Sequence, residues 1–375
     1  MQIQKNLYQY KRDTYTNVNI QTPQNTDNLP TIHCNFGSKC LWNLDDIINE
    51  IENLSIQKIS AYPKMSDINL LKETIIKKYN NKKLTTDNIF LGHGTFNILE
   101  RIIHKLVNPK KMIGVGPQFN EIPSEFVSTG GKYFSIPLIE NNFSLDKVYE
   151  SIKNELYDVL YIDNPNNPTG FVFNIEDISK LAQICDKTGT ILIIDEAYGD
   201  FLDNNMSSIQ LINTFQNIIV VRSFSKGFCL PSIRSGYMIT SNKIAKIYKE
   251  IDVPFEPSYI SIKLSLMALN DKILLNNYRD NTIDLKKYII DKLSISNIFI
   301  LPTNPNIPIF MLYSENKNLY NYFLSINILT VGGESFKNTY SKLDNSYVRM
   351  HIPNSIDEAK QIISRIENNN LIQNL

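Results

Sequence analysis

The sequence predicts an α/β protein, with a large domain built on a mostly parallel central sheet and a smaller α+β domain beside it. Three observations carry this reading. From about residue 89 to about 240, short apolar runs alternate with amphipathic stretches in a strand, helix, strand recurrence, the pattern of a doubly wound sheet. The run Ile191-Leu192-Ile193-Ile194, entered through Thr190, is apolar on both faces, as a strand covered by helices on both sides must be. Beyond about residue 275 the recurrence stops and a second domain begins. The boundaries read as a polar amino-terminal arm over 1–31, a large domain over 60–272, and a small domain made of 32–59 and 273–375.

Taken in order, Leu44 to Leu54 and Ile68 to Tyr79 carry apolar residues at helical spacing, with Ala61-Tyr62-Pro63 between them. Ile89-Phe90-Leu91 is a strand that breaks at Gly92-His93-Gly94 and feeds a helix with Ile98, Ile102, Ile103 and Leu106 on one side. Met112 to Val115 is a buried strand followed by Pro117-Gln118-Phe119. Lys132 to Leu138 is another, followed by a loop and an acidic helix. Asp158 to Ile162 is a strand interior, and the prolines of Asp163-Asn164-Pro165-Asn166-Asn167-Pro168-Thr169-Gly170 stop its ladder and stiffen the loop. A helix starts with a cap at Asn174, buries Ile178, Leu181, Ala182 and Cys185, and ends at Gly189. Its return strand ends in Asp195. Asn217 to Val220 is a further strand, and Gly236 opens an apolar stretch. In the second domain come a helix over Ile273 to Leu293, strands over Ile298 to Leu301 and Pro308 to Leu312, a helix near Leu319 to Leu324, and the strand Tyr347 to His351. Ser355-Ile356-Asp357-Glu358 reads as a capping box for a last helix.

Composition narrows the function classes. The chain has 375 residues, 42% of them hydrophobic, and Lys+Arg and Asp+Glu both number 38. Zero formal charge argues against nucleic acid or an anionic membrane as the main partner and favours small-molecule chemistry. No apolar run reaches the ~18 residues of a membrane span, and MQIQKNLYQYKRD lacks a signal-peptide core, so a cytoplasmic location is expected. Cys34, Cys40, Cys185 and Cys229 form no CxxC pair, and His33, His93, His104 and His351 show no ligand spacing with them. Reduced thiols and no metal are expected.

The chemistry concentrates in Val221 to Tyr237, VRSFSKGFCLPSIRSGY. A lysine that condenses with an aldehyde cofactor bearing a phosphate needs dianion donors nearby; Ser223, Ser225 and Arg234 around Lys226 supply that set. The helix start after Gly94 offers the N–H groups of Thr95 and Phe96 to the same kind of anion. Asp195 lies at the carboxyl end of a central strand, where open α/β sheets bind ligands. Arg349, within the otherwise apolar Tyr347-Val348-Arg349-Met350-His351, must be paired or face a cavity.

The S-x-S-K-x₇-R-x-G pattern resembles the fold-type I pyridoxal-phosphate enzymes, specifically the class I/II aminotransferases, over roughly residues 32 to 365. The resemblance implies pyridoxal 5′-phosphate (PLP) on Lys226, with its phosphate held by Thr95, Phe96, Ser223, Ser225 and Arg234. It implies Phe119 stacked on the ring, although ordinary core packing explains Phe119 equally well, and Asn167 and Tyr198 on the phenolic oxygen. Asp195 would face the ring nitrogen. Arg349 would take the substrate α-carboxylate, with Asn167, Asn35 and His33 on the substrate side. Tyr62 would reach the phosphate of the opposite subunit of a homodimer, or else pack beside its turn proline. Length and the Tyr-Pro, Pro-x-Phe and NPNNPTG elements are most similar to the histidinol-phosphate aminotransferase branch. Two positions depart from it: Val331 replaces a second arginine and Phe96-Asn97 an acidic pair, so a phosphate-bearing side chain would lose a charge partner.

The activity implied is transfer of the amino group between an amino acid and a 2-oxo acid, with Lys226, Asp195 and Tyr198 as the catalytic set. A PLP-dependent amino-acid decarboxylase, or an oxygen-dependent oxidase of the arginine type, could use the same contacts, because the sequence does not reveal which bond to Cα stands perpendicular to the ring.

Overall fold

The computed structural model describes residues 29–36, 42–52, 54, 56–107, 110–293 and 298–372. The expected arm lies outside these residues except for 29–31, as does Cys40. The strands are β1 (Ile32–His33), β2 (Ile89–Gly92), β3 (Lys111–Gly116), β4 (Lys132–Pro137), β5 (Val159–Asp163), β6 (Ile191–Asp195), β7 (Ile218–Ser223), β8 (Gly236–Thr240), β9 (Phe299–Ile300), β10 (Ile309–Tyr313), β11 (Ile328–Leu329), β12 (Val331–Gly332) and β13 (Tyr347–His351). A 7-stranded sheet runs β2-β8-β7-β6-β5-β3-β4, and a 4-stranded sheet runs β12-β13-β10-β9.

The central sheet is parallel from β7 to β4. Its apolar strand β6 is the middle one, and Leu192, Ile193 and Ile194 are fully buried. Such a strand must be sheathed on both faces, and helices supply the sheath. The helix Ile175–Thr188 shows how local sequence sets its ends. The Asn174 side chain accepts from the Asp177 N–H at one end, and Gly189 turns left-handed at φ 77 at the other. Its buried face is Ile178, Leu181, Ala182, Ile184 and Cys185. The doubly wound expectation needs one adjustment: β8 runs antiparallel to both β7 and β2. Between β7 and β8 the chain has only the short helical turn Pro231–Ile233, without the crossover helix that usually joins parallel neighbours.

All seams of the second sheet are antiparallel. β1 pairs in parallel with β11, which fastens the segment following the arm to this part of the molecule. Ser355 Oγ accepts from the Glu358 N–H as a capping box requires, but the Glu358 carboxylate accepts from Asn354 rather than from Ser355 itself. No described helix is long and apolar enough to cross a membrane.

Candidate active site

The carboxyl ends of the parallel strands open on a cavity of about 200 Å³. Thr95, Phe96, Phe119, Asn167, Asp195, Tyr198, Ser223, Ser225, Lys226 and Arg234 all line it. They come from separate strand ends, and the sheet brings them together because parallel strands end on the same edge. A larger cavity, about 480 Å³, lies between 74–78, 203–204 and 268–279 and contains none of these residues. Two of its four cations are already committed, Lys78 to Asp200 and Arg279 to the carbonyls of Asp200 and Leu202.

The anion-binding side is built by close approach. Gly94 opens the helix Gly94–Arg101 at φ 80, and a Cβ on it would stand 2.8 Å from an Arg234 guanidinium nitrogen. A Cβ on Gly236 would stand 2.9 Å from the Thr95 nitrogen. Only glycine at both positions lets the guanidinium and β8 press against the first helical turn. Arg234 sits at φ 47 and donates to the Pro231 carbonyl at 3.0 Å, which aims its fork along the loop. The Ser225 N–H donates to Ser223 Oγ at 3.0 Å. Hydroxyls, helix N–H groups and a guanidinium thus converge with no carboxylate among them, a set suited to a phosphate dianion.

Across the cavity, Asp195 Oδ1 accepts from the Ala197 N–H at 2.9 Å and Oδ2 from the Tyr161 hydroxyl at 3.1 Å. Burial pushes its carboxyl up to about 6. A cation opposite would restore the charged form, so this group suits a protonated ring nitrogen. The Lys226 amine lies 5.5 Å from the centre of the Tyr198 ring. Desolvation raises the Tyr198 phenol above its ordinary value, which keeps it a proton donor. The residues present therefore fit a phosphate-bearing pyridine aldehyde: anion donors on one side, an amine within, and a buried carboxylate opposite.

Arg349 is 3% exposed and borders this site. It donates to Asn167 Oδ1 at 3.0 Å and to the Asn35 carbonyl at 2.6 Å. Fixing the amide oxygen on Arg349 turns the Asn167 NH₂ away, free to donate elsewhere. Asn35 reaches Arg349 through its backbone, while its side-chain oxygen accepts from the Phe36 N–H at 3.0 Å. His33 does not line the cavity. Strand alternation buries Ile32 and sends His33 outward, where it is exposed. Tyr62 is also outside, 76% exposed and stacked on Phe255 at 4.7 Å. The residues that motif reading missed are Asp163, Tyr161 and Asn166, each of which has a partner distant in the chain: Phe119, Asp195 and Pro117 respectively. A strand-end carboxylate at Asp163, matching Asp195, was the available signal.

A strand-end cavity that assembles an amine, a buried carboxylate and a phosphate cradle defines a PLP-dependent enzyme, and the chain belongs to the aminotransferase class I and II family, which residues 35–366 match. It is a PLP-dependent aminotransferase that moves an amino group between an amino acid and a 2-oxo acid. Within the family it stands in the histidinol-phosphate aminotransferase-like branch. The histidinol-phosphate aminotransferase of Clostridium kluyveri is 30% identical over 249 residues, 66% of this chain and 69% of that one. Two solved structures share the fold. Histidinol-phosphate aminotransferase from Clostridium acetobutylicum has a TM-score of 0.78 at 23% identity, covering 90% of this chain and 99% of that one. The enzyme from Sinorhizobium meliloti, in complex with pyridoxal-5′-phosphate, has a TM-score of 0.76 at 19% identity, with 89% of each chain covered. The decarboxylase and oxidase alternatives are not favoured by these relatives.

Proposed function

We propose that transamination in this enzyme runs on Lys226, Asp195 and Tyr198, with Arg349 holding the amino acid by its α-carboxylate. The observation that supports this reading is the convergence of the strand-end residues on a single cavity bordered by Arg349. When bound, PLP supplies an electron-withdrawing ring that stabilises the carbanion left at Cα. Thr95, Phe96, Ser223, Ser225 and Arg234 would hold its phosphate, and Phe119 would cover the ring. Asn167 and Tyr198 would donate to the phenolic oxygen. Asp195 would keep the ring nitrogen protonated. Arg349 presents its planar fork to the substrate carboxylate, which orients the Cα–H bond toward the Lys226 amine. Lys226 would take the proton from Cα and deliver it to the cofactor's aldehyde carbon, and the same transfer would run in reverse with the 2-oxo acid.

Arg349→Lys keeps the charge but loses the fork, so KM for the amino acid should rise about 10- to 100-fold while kcat changes less. Steady-state kinetics on the best substrate would measure this, and an unchanged KM would remove Arg349 from carboxylate recognition. That substrate is found by mixing the holoenzyme with each of the twenty amino acids and following cofactor absorbance. Histidinol phosphate belongs in the same panel, because Val331 and Phe96-Asn97 replace the charged positions noted above. Arg349 is directly opposite Val331 in the β12–β13 pairing, so an apolar side chain stands beside the carboxylate anchor.

We further infer a homodimer. Ile56 and Tyr62 are each 76% exposed, and Ile59, Met65, Phe255 and Ile260 extend the apolar surface around them. Ile59, Tyr62 and Ile260 line one groove, and Tyr62 stacks on Phe255, so these four form a continuous patch. Such a patch marks an interface on a water-soluble fold, and Tyr62 points away from its own cavity, as a residue serving a second subunit would. Equilibrium sedimentation should give a dimer, and the Ile59→Asp/Ile260→Asp double variant should shift it toward monomer; a wild-type monomer would refute the inference. A cytoplasmic location is supported by the reduced, buried thiols of Cys34, Cys185 and Cys229, and cell fractionation tests it.

A further inference from the structure

Asp163 ends β5 directly opposite Asp195 on β6. It is 3% exposed and lines the same cavity. Its Oδ2 accepts two backbone N–H groups, Phe119 at 3.0 Å and Asn167 at 2.9 Å. Its Oδ1 accepts from the Asn166 amide at 3.0 Å, and that amide also donates to the Pro117 carbonyl at 3.0 Å. A buried carboxylate is costly unless donors surround it, and these three donors account for its tolerance here. They also make one side chain the joint between β5, the turn after β3 and the NPNNPTG loop. The two backbone positions it fixes are those that carry the ring-covering aromatic and the amide donor.

We propose that Asp163 is a positioning residue for transamination, setting the spacing of Phe119 and Asn167 that grips the cofactor ring and placing a second anion beside Asp195. This rests on the roles of Phe119 and Asn167 given above. The titratable groups facing Asp163 are Asp195 on the next strand, Tyr161 two residues back, Tyr133 of β4 and Tyr198. Burial pushes the Asp163 carboxyl up from 3.8 to about 7, and Asp195 adds to the rise. A folded value above the unfolded one contributes stability that is fully present below 3.8 and is lost as pH rises through about 7. A cation in the cavity opposes that loss.

Two variants test the proposal. In Asp163→Asn the amide oxygen can still accept both backbone N–H groups, but its NH₂ meets the Asn166 NH₂, donor against donor. Asp163→Ala removes every acceptor. Cofactor-free protein is titrated with PLP, and the visible absorbance of the loaded protein is then followed against pH. The alanine variant should bind PLP about tenfold more weakly or worse, and its kcat should fall more than KM rises. The asparagine variant should keep its affinity to within about threefold. With one anion fewer, its absorbance midpoint should move down by about half a pH unit or more, a shift that a packing role would not produce. Its cofactor-free thermal midpoint should also change less than wild type between pH 5 and 8. Wild-type affinity and kcat in the alanine variant overturn the proposal. If that variant does not fold, a wild-type absorbance midpoint in the asparagine variant overturns it. A wild-type protein that takes up no PLP overturns the reading of the cavity and this proposal with it, whereas normal PLP uptake with silent Asp163 variants overturns this proposal alone.

Discussion

Lys226→Ala is expected to lower transamination by about four orders of magnitude or more, because it removes both the amine that condenses with the cofactor and the group that moves the Cα proton. The phosphate cradle is untouched in that variant: Thr95, Ser223, Ser225 and Arg234 keep their places around the cavity. PLP should therefore still bind, but reversibly, and borohydride should fix no label to the peptide containing position 226. Single-turnover absorbance with a good amino-acid substrate, wild type against variant, makes the measurement. Turnover within about tenfold of wild type would eliminate Lys226 as the proton carrier. Loss of all PLP binding would instead show that the cradle depends on the covalent link.

Arg222→Met should give the largest loss of stability. Arg222 is 1% exposed and joins two buried carboxylates, with Nε and Nη2 on Glu196 at 2.8 and 2.7 Å and Nη1 on Asp200 at 3.2 Å. Glu196 also accepts from the Ser207 hydroxyl at 2.7 Å and the Ser208 N–H at 2.6 Å, and Asp200 meets Lys78. Methionine fills much of the volume but leaves both acids short of a cation, and breaking a buried pair in this way costs about 3–5 kcal/mol. The network matters for function because Glu196 follows Asp195 and Arg222 precedes Ser223. It pins the ends of β6 and β7, and with them the ring-nitrogen carboxylate and the phosphate hydroxyls. Urea unfolding of the cofactor-free variant should show the loss. A change under about 1 kcal/mol would mean that Lys78 and the serines satisfy the acids unaided.

The alternating strands and helices, the caps at Asn174 and Gly189 and the groups at strand ends could be read from the chain, because each is written locally. An apolar run that stops at Asp195 or at the NPNNPTG prolines announces a strand end, and parallel strands put their ends on one edge. That rule alone gathers Lys226, Asp195, Asn167 and the phosphate donors. Arg349 was also legible, since a charge inside an apolar strand must have a partner.

What the local code leaves open is which distant group that partner is. Arg349 meets Asn167 and the Asn35 carbonyl, Asp163 meets Phe119 across the turn after β3, and Gly94 meets Arg234; each contact joins segments far apart in the chain. Tertiary packing also set β8 antiparallel within a sheet read as mostly parallel, and turned His33 outward, away from the cavity that a residue-by-residue reading gives it. Sequence determined the chemical groups and the edge of the sheet on which they gather. Their distances, partners and facing were decided only when the strands took their order, because register and side-chain direction follow from neighbours that the local chain does not contain.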